Sequence, residues 1–287
     1  MQYRDVIIDG ANPGGNLGAA FSANIGSTQL SPKGKFLDHL IIGLKGTVGT
    51  APVVLENALG ALSQFTFKAG QETRIQLSAR DLVALMAAFY KQLPFAWENT
   101  DSTGSTFILG IKVPIQETID PTISYTYSAN YTAVTNFSSV LLSLTTVYNS
   151  DAKGKSPIIA VPISYTTPGA TGATAINARL TNLGMLQGLL VFNTTNPSDG
   201  ADLYDIQRIQ LVENGKQTSL LTAANPDPLH GLNTYSTLQP IGEVLMPYLY
   251  YDFSEEPFDV KTNFMEFIVD VETVSEATRL IPIITKA

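Results

Sequence analysis

Apolar residues recur at every second position along much of this chain, the spacing of strands with one buried face. The clearest run is "FTFKAGQETRIQL" at 65–77. There Phe65 and Phe67 alternate with Thr66 and Lys68, and Ile75 and Leu77 alternate with Arg74 and Gln76. Ala69-Gly70 stands between the two stretches as the turn of a hairpin, because glycine tolerates the positive φ that tight hairpin turns need. A second stretch, "LVENGKQTSLLT" at 211–222, repeats the form around Asn214-Gly215, a strong short hairpin signal. Asn214 lies 145 positions beyond Ala69, about half of the 287 residues.

One segment breaks the period of two. In "SARDLVALMAAFYKQL" (78–93), Leu82, Leu85, Met86 and Phe89 recur at three- and four-residue spacing, which predicts a helix over 79–92 with one apolar stripe. Ser78 is placed to cap it, Asp81 completes a capping box, and Pro94 stops the run. Further strand-like runs in the first half are "LGAAFSANIG" (17–26), "FLDHLIIGLKGT" (36–47), "STFILGIKVPIQ" (105–116), "TISYTYSANYTAV" (122–134) and "SSVLLSLTTVYN" (138–149). The second half supplies "ATAINARLTNLG" (173–184), "MLQGLLVFNTT" (185–195), "GEVLMPYLYYDF" (242–253), "NFMEFIVDVETV" (263–274) and "RLIPIITK" (279–286).

The polar, turn-rich segment "SDAKGKSP" (150–157) separates the halves. The organisation expected is an N-terminal arm at 1–15, a first domain at 16–149, a linker at 150–156 and a second domain at 157–287. "LDHL" (37–40) precedes the first hairpin by about the distance at which "LGML" (183–186) precedes the second. Each half therefore reads as an antiparallel sandwich of about eight short strands. The halves differ in one respect: Pro226, Pro228 and Gly231 interrupt the place where a helix would follow the second hairpin.

Two tandem β-sandwiches of this size, with a helix after the hairpin of the first, resemble the double jelly-roll major capsid proteins. These coat tailless icosahedral viruses and phages of the adenovirus-like lineage. The resemblance runs along residues 16–287 and rests on this architecture and on the pair "FKAGQETRIQL" and "LVENGKQTSLL". It implies an all-β fold of two eight-stranded jelly rolls. It also implies a homotrimer of pseudo-hexagonal outline that tiles a shell, with other capsid proteins such as a vertex protein as partners. An inner viral membrane is common in the family. The location implied is the virion, after assembly in the host cytoplasm.

Composition narrows the choice. Only 15% of residues are charged, against roughly 25% in typical soluble domains, so much of the surface is neutral and suits burial against neighbours. The net charge of −8 argues against direct nucleic-acid binding. No cysteine is present, which excludes thiol catalysis and disulfides. The start "MQYRDVIIDG" lacks the pattern of a secretory leader, and no apolar run approaches the length of a membrane span. Within the arm, Val6, Ile7 and Ile8 form an apolar patch that a free terminus cannot bury, so an assembly contact with a neighbouring subunit is expected there.

Motifs that carry chemistry are sparse. "GKS" at 154–156 lacks the glycine that a phosphate loop needs at position 149, where Asn149 stands. "GANPGGNLGAA" (10–20) has the wrong spacing for a dinucleotide loop. His39 and His230 have no nearby nucleophile motif. Asp252, Glu255, Glu256 and Asp259 in "DFSEEPFD" offer the oxygen ligands that calcium favours, and equally make a solvated acidic loop. Trp97, with Phe95 and Tyr90, is either a platform for sugar stacking or the cap of a sandwich end. No cofactor and no enzymatic activity are expected. The rival to a coat protein is an extracellular carbohydrate-binding or adhesin protein with two β-sandwich domains.

Overall fold

The computed structural model describes residues 2–9, 17–18, 23–30, 34–51, 55–92, 94–98, 102–132, 136–149, 156–163, 174–180, 183–192, 206–222, 245, 248–271 and 279–286. The chain divides into two compact units, Met1–Ile159 and Ala160–Ala287. The division falls slightly later than the expected start at 157, and residues 150–155 of the expected linker lie outside the described residues.

The first unit contains ten strands that precede the linker: β1 (Gln2–Asp9), β2 (Leu17–Gly18), β3 (Ala23–Gln29), β4 (Phe36–Val48), β5 (Leu62–Ala69), β6 (Glu72–Leu77), β7 (Phe95–Glu98), β8 (Thr106–Thr118), β9 (Tyr125–Tyr131) and β10 (Phe137–Asn149). Helices α1 (Leu55–Gly60) and α2 (Ala79–Tyr90) interrupt them. One sheet has the order β1-β10-β4-β8-β7, with β2 also on β10, and the other contains β6-β5-β9-β3. With the short β2 and β7 set aside, eight strands remain, ordered 1-8-3-6 in one sheet and 2-7-4-5 in the other. This is the strand order of a jelly roll.

The second unit contains β12 (Thr174–Leu180), β13 (Met185–Phe192), β14 (Ile206–Glu213), β15 (Lys216–Thr222), β16 (Tyr248–Asp252), β17 (Phe258–Asp259), β18 (Met265–Val271) and β19 (Arg279–Thr285). The division between units falls inside β11 (Ile158–Ala160). One sheet has the order β12-β18-β14-β15, and the other contains β16-β13-β19 with β17 also on β13. Counting β12 as the second strand gives 2-7-4-5 again, and 6-3-8. The place of a first strand beside the eighth is taken by the chain after β11, where the Ile163 N–H donates to the Leu280 carbonyl at 2.8 Å. The hairpins β5–β6 and β14–β15 are thus the fourth and fifth strands of their units. "LDHL" and "LGML" mark the start of the third strand in each, β4 and β13.

Both turns have two residues, but they differ in type, and the first is shifted from the sequence reading. The first is Gly70-Gln71, since Ala69 already pairs with Glu72. Gly70 has φ 61°, the glycine-first pattern of a type II′ turn. Asn214 and Gly215 have φ 49° and 81°, as a type I′ turn requires at both positions.

Of the arm expected at 1–15, residues 2–9 are described, and there the chain is a strand of its own unit. Gln2–Asp9 pairs antiparallel with β10 of the same chain, placing Val6 opposite Thr145, Ile7 opposite Leu144 and Ile8 opposite Ser143. The backbone groups on that side of the strand are satisfied by β10, so these residues form the first strand of the first roll. A hydrophobic pattern shows a strand but not a partner some 140 positions away.

The core of the first unit follows the period of two. Leu40, Ile42 and Leu44 on β4, Phe65 and Phe67 on β5, and Phe107, Leu109, Ile111 and Val113 on β8 are buried. Phe65 stacks on Tyr127 and Phe67 on Tyr125 across β5 and β9, the diagonal pairs that stabilise an antiparallel sheet. In the second unit Leu189–Phe192, Tyr248–Tyr251 and Leu280–Ile284 are buried in unbroken runs, so those strands are covered on both faces. β19 is therefore interior, and it forms from the strand-like run "RLIPIITK".

Helix α2 starts where predicted and ends at Tyr90, two residues short of the expected 92. The Ser78 side chain accepts from the Asp81 N–H, the Asp81 carboxylate accepts from the Ser78 N–H, and Lys91 ends the helix in the left-handed conformation. Its burial exceeds a single stripe: Leu82, Val83, Ala84, Leu85, Met86, Ala87 and Ala88 are all buried, whereas Phe89 is only half-buried. The helix packs on β8 of one sheet and on β5 and β6 of the other, with α1 beside it. It closes the space between the sheets.

Two stability changes follow. Ser78→Ala lowers the stability of the first unit by about 1 kcal/mol, through loss of the cap. Leu85→Asp lowers it by about 4 kcal/mol, because an unpaired carboxylate is buried. Urea denaturation of both variants against the parent checks the order of the two effects.

Candidate functional site

The side chains with chemical potential fall into three places. The first is an irregularity in β4. Its pairing with β10 shifts between His39 and Leu37, and its pairing with β8 shifts at the same point. Asp38 is the extra residue of this bulge, and Gln116 on the facing part of β8 takes φ 53°. A bulge re-aims side chains. Here it brings the Asp38 carboxylate within 2.7 Å of His39 Nδ1. The His39 ring meets Tyr90 edge-on at 6.5 Å, and Lys112 Nζ lies 3.9 Å above the Tyr90 ring. Burial, followed by the Asp38 charge, pushes the Tyr90 hydroxyl well above its usual range. His39 is 6% exposed. The group ties β4, β8 and the end of α2 together and offers little surface to a substrate.

The second place joins the two sheets of the first unit. Arg74 on β6 was read as an outward polar position, yet it is 5% exposed. Its Nη1 lies 2.7 Å from Glu72 Oε1, and its Nε lies 3.2 Å from the buried Glu117 Oε2 on β8. Removing Arg74 would take the guanidinium away from the buried Glu117 carboxylate. Nearby, the Asp120 N–H donates to the Tyr125 hydroxyl, which donates to the Thr118 carbonyl. Glu-x-Arg on one strand is visible in sequence, but the partner 43 positions further on carries no local signal.

The third place is the acidic loop. The Asp252 carboxylate accepts from the Ser254 N–H. Asp259 accepts from the N–H groups of Lys261 and Thr262 and from the Thr262 hydroxyl. Glu255 and Glu256 are exposed. The carboxylates of Asp252 and Asp259 brace their own turns, and among the described residues no three His, Asp or Glu side chains converge on a metal position. The four candidates Asp252, Glu255, Glu256 and Asp259 thus share a stretch of chain without forming such a cluster.

Trp97 lies on β7, opposite Ile108 of β8, which places its backbone at the edge of a sheet. His230 and residues 10–16 lie outside the described residues, as does most of "GKS". Among the described residues no helix is long and apolar enough to cross a membrane.

What these units define as a class is an all-β chain of two tandem jelly rolls. No protein-family model and no curated protein sequence matches the chain, but solved structures share its fold. A chain in the atomic structure of Sulfolobus turreted icosahedral virus aligns with a TM-score of 0.61 at 14% identity, over 99% of this chain and 91% of that one. VP54 of the virus PBCV-1, in a structure fitted into a reconstruction of the virophage Sputnik, aligns with a TM-score of 0.57 at 11% identity, over 99% and 93%. The major capsid protein P2 of bacteriophage PM2 aligns with a TM-score of 0.52 at 10% identity, over 98% and 96%. The likeness is one of fold, and the whole chain carries it.

The acidic loop supplies a direct check. Calcium at about 1 mM, enough to occupy even weak sites, leaves the melting temperature unchanged. A rise of several degrees would restore the calcium reading. The hydrogen bonds from Thr262 and Lys261 hold the Asp259 carboxyl below its ordinary pKa of 3.8. Its bracing of the loop is complete above 3.8 and is lost as pH falls through the lowered value. A carboxyl titration followed by NMR should therefore show Asp259 titrating below 3.8.

Proposed function

We propose that this chain is the major coat subunit of an icosahedral viral shell and acts as a homotrimer of pseudo-hexagonal outline. One observation carries the reading: two units of the same strand order lie in one chain, and that arrangement spans 96% of the PM2 capsid protein's chain. Two similar rolls per chain give six per trimer, so a threefold assembly approaches sixfold shape and can tile a surface. The sparse charge, 15% of residues, allows neutral faces to pack without strong repulsion between copies. The role is structural and calls for no catalytic group or cofactor.

The reading extends to partners and place. A pseudo-hexagonal unit does not match a fivefold axis, so a second coat protein occupies the vertices. The chain resides in the virion after assembly in the host cytoplasm. An inner membrane is compatible with this role, and the acidic chain does not itself bind the genome.

Multi-angle light scattering of the purified protein tests the assembly. The mass expected is three times 30.9 kDa, or a larger closed particle. A stable monomer at high concentration overturns the proposal.

A further inference from the structure

The two units use their sheet edges differently. In the first unit the fifth strand, β6, has β5 on one side and β11 on the other. Ile158 and Ile159 of β11 are the last residues of that unit, so the chain covers the outer edge of β6 as it leaves. In the second unit the fifth strand is β15, and among the described residues β14 is its one strand neighbour. At the other end of the chain β1 ends its sheet order, and among the described residues β10 is its one strand neighbour. An edge strand presents a row of N–H and C=O groups that pairs readily with another strand.

The two open edges suit one another. β15 spans seven residues and β1 spans eight. β15, like β6, follows a two-residue hairpin turn. β1 carries Ile7-Ile8 where β11 carries Ile158-Ile159, each near the start of its half of the chain. Lys216 stands on β15, and β1 carries Asp5 and Asp9 against a single Arg4.

We infer that β1 of a second copy of this chain adds to the outer edge of β15, in the place that β11 takes along β6. This rests on the trimer proposed above and specifies its contact. The joint is head-to-tail, from the second unit of one chain to the first unit of the next, and such a joint closes into a ring when the rotation allows. Three copies then form a ring of six rolls linked by one kind of edge pairing. Val6, Ile7 and Ile8 serve assembly after all, but as a strand of their own roll whose outer edge meets a neighbour.

The absence of native cysteine makes the contact readable by cross-linking. Ser219→Cys is combined with a cysteine placed in turn at Tyr3, Arg4, Asp5, Val6, Ile7 and Ile8. Directly opposed strand positions lie within disulfide reach. Under oxidation at least one pair yields covalent dimers and trimers that collapse on reduction, and the single-cysteine parents do not give the trimer. Amide exchange of the unaltered protein gives a second reading that no substitution disturbs. Exchange in 2–9 and in 216–222 slows about tenfold or more in the trimer relative to dilute monomer. A trimer that shows neither the cross-link nor the protection overturns the edge pairing and leaves the coat reading standing. A cross-link confined within single chains overturns it as well. A protein that stays monomeric overturns both.

Discussion

Each roll depends on one step in its strand order. With sheets ordered 1-8-3-6 and 2-7-4-5, six of the seven successive steps cross from one sheet to the other. Only the step from the fourth strand to the fifth stays within a sheet. That step is the hairpin, β5–β6 in the first unit and β14–β15 in the second. Among the described residues it is the pairing in each roll that a two-residue turn closes, whereas most of the others join segments far apart in the chain. Loop closure makes such distant pairings slow and entropically costly. The hairpin gives them an aligned edge: β9 pairs along β5, and β18 pairs along β14.

The same step explains what sequence could show. Two-residue turns demand particular residues, so Gly70 and Asn214-Gly215 announced both hairpins half a chain apart. Ser78 and Asp81 announced the start of α2 because a cap is local chemistry. Non-local facts were hidden. "QYRDVIID" reads as a short apolar arm, and only its pairing with β10 makes it the first strand. The turn at Gly70-Gln71 sits one residue beyond the sequence reading, because the glycine comes first rather than second in it. Helix α1 is six residues long and has too little periodicity to stand out. The candidate site was less legible still. Acidic residues at 252–259 share a stretch of sequence, yet the hydrogen bonds of Asp252 and Asp259 turn each of them back on its own loop.

Polar groups inside the first roll act as ties. The Asp38 bulge reaches His39 and the end of α2, while Arg74 and Glu117 link the two sheets. Charges buried in this way contribute less to stability than apolar packing does, but breaking one pair leaves its partner unsatisfied. They favour one registration of sheets and helix over near neighbours. In the coat role proposed above, a subunit would have to present the same edges to every copy, and such uniqueness would serve it more than extra stability.

Electron micrographs of the purified, assembled protein test the central claim most directly. If each chain contributes two equivalent rolls to a shell, averaged images show pseudo-hexagonal units with six similar densities around a threefold centre. Units with three densities, or open chains of subunits without a closed ring, would contradict the account.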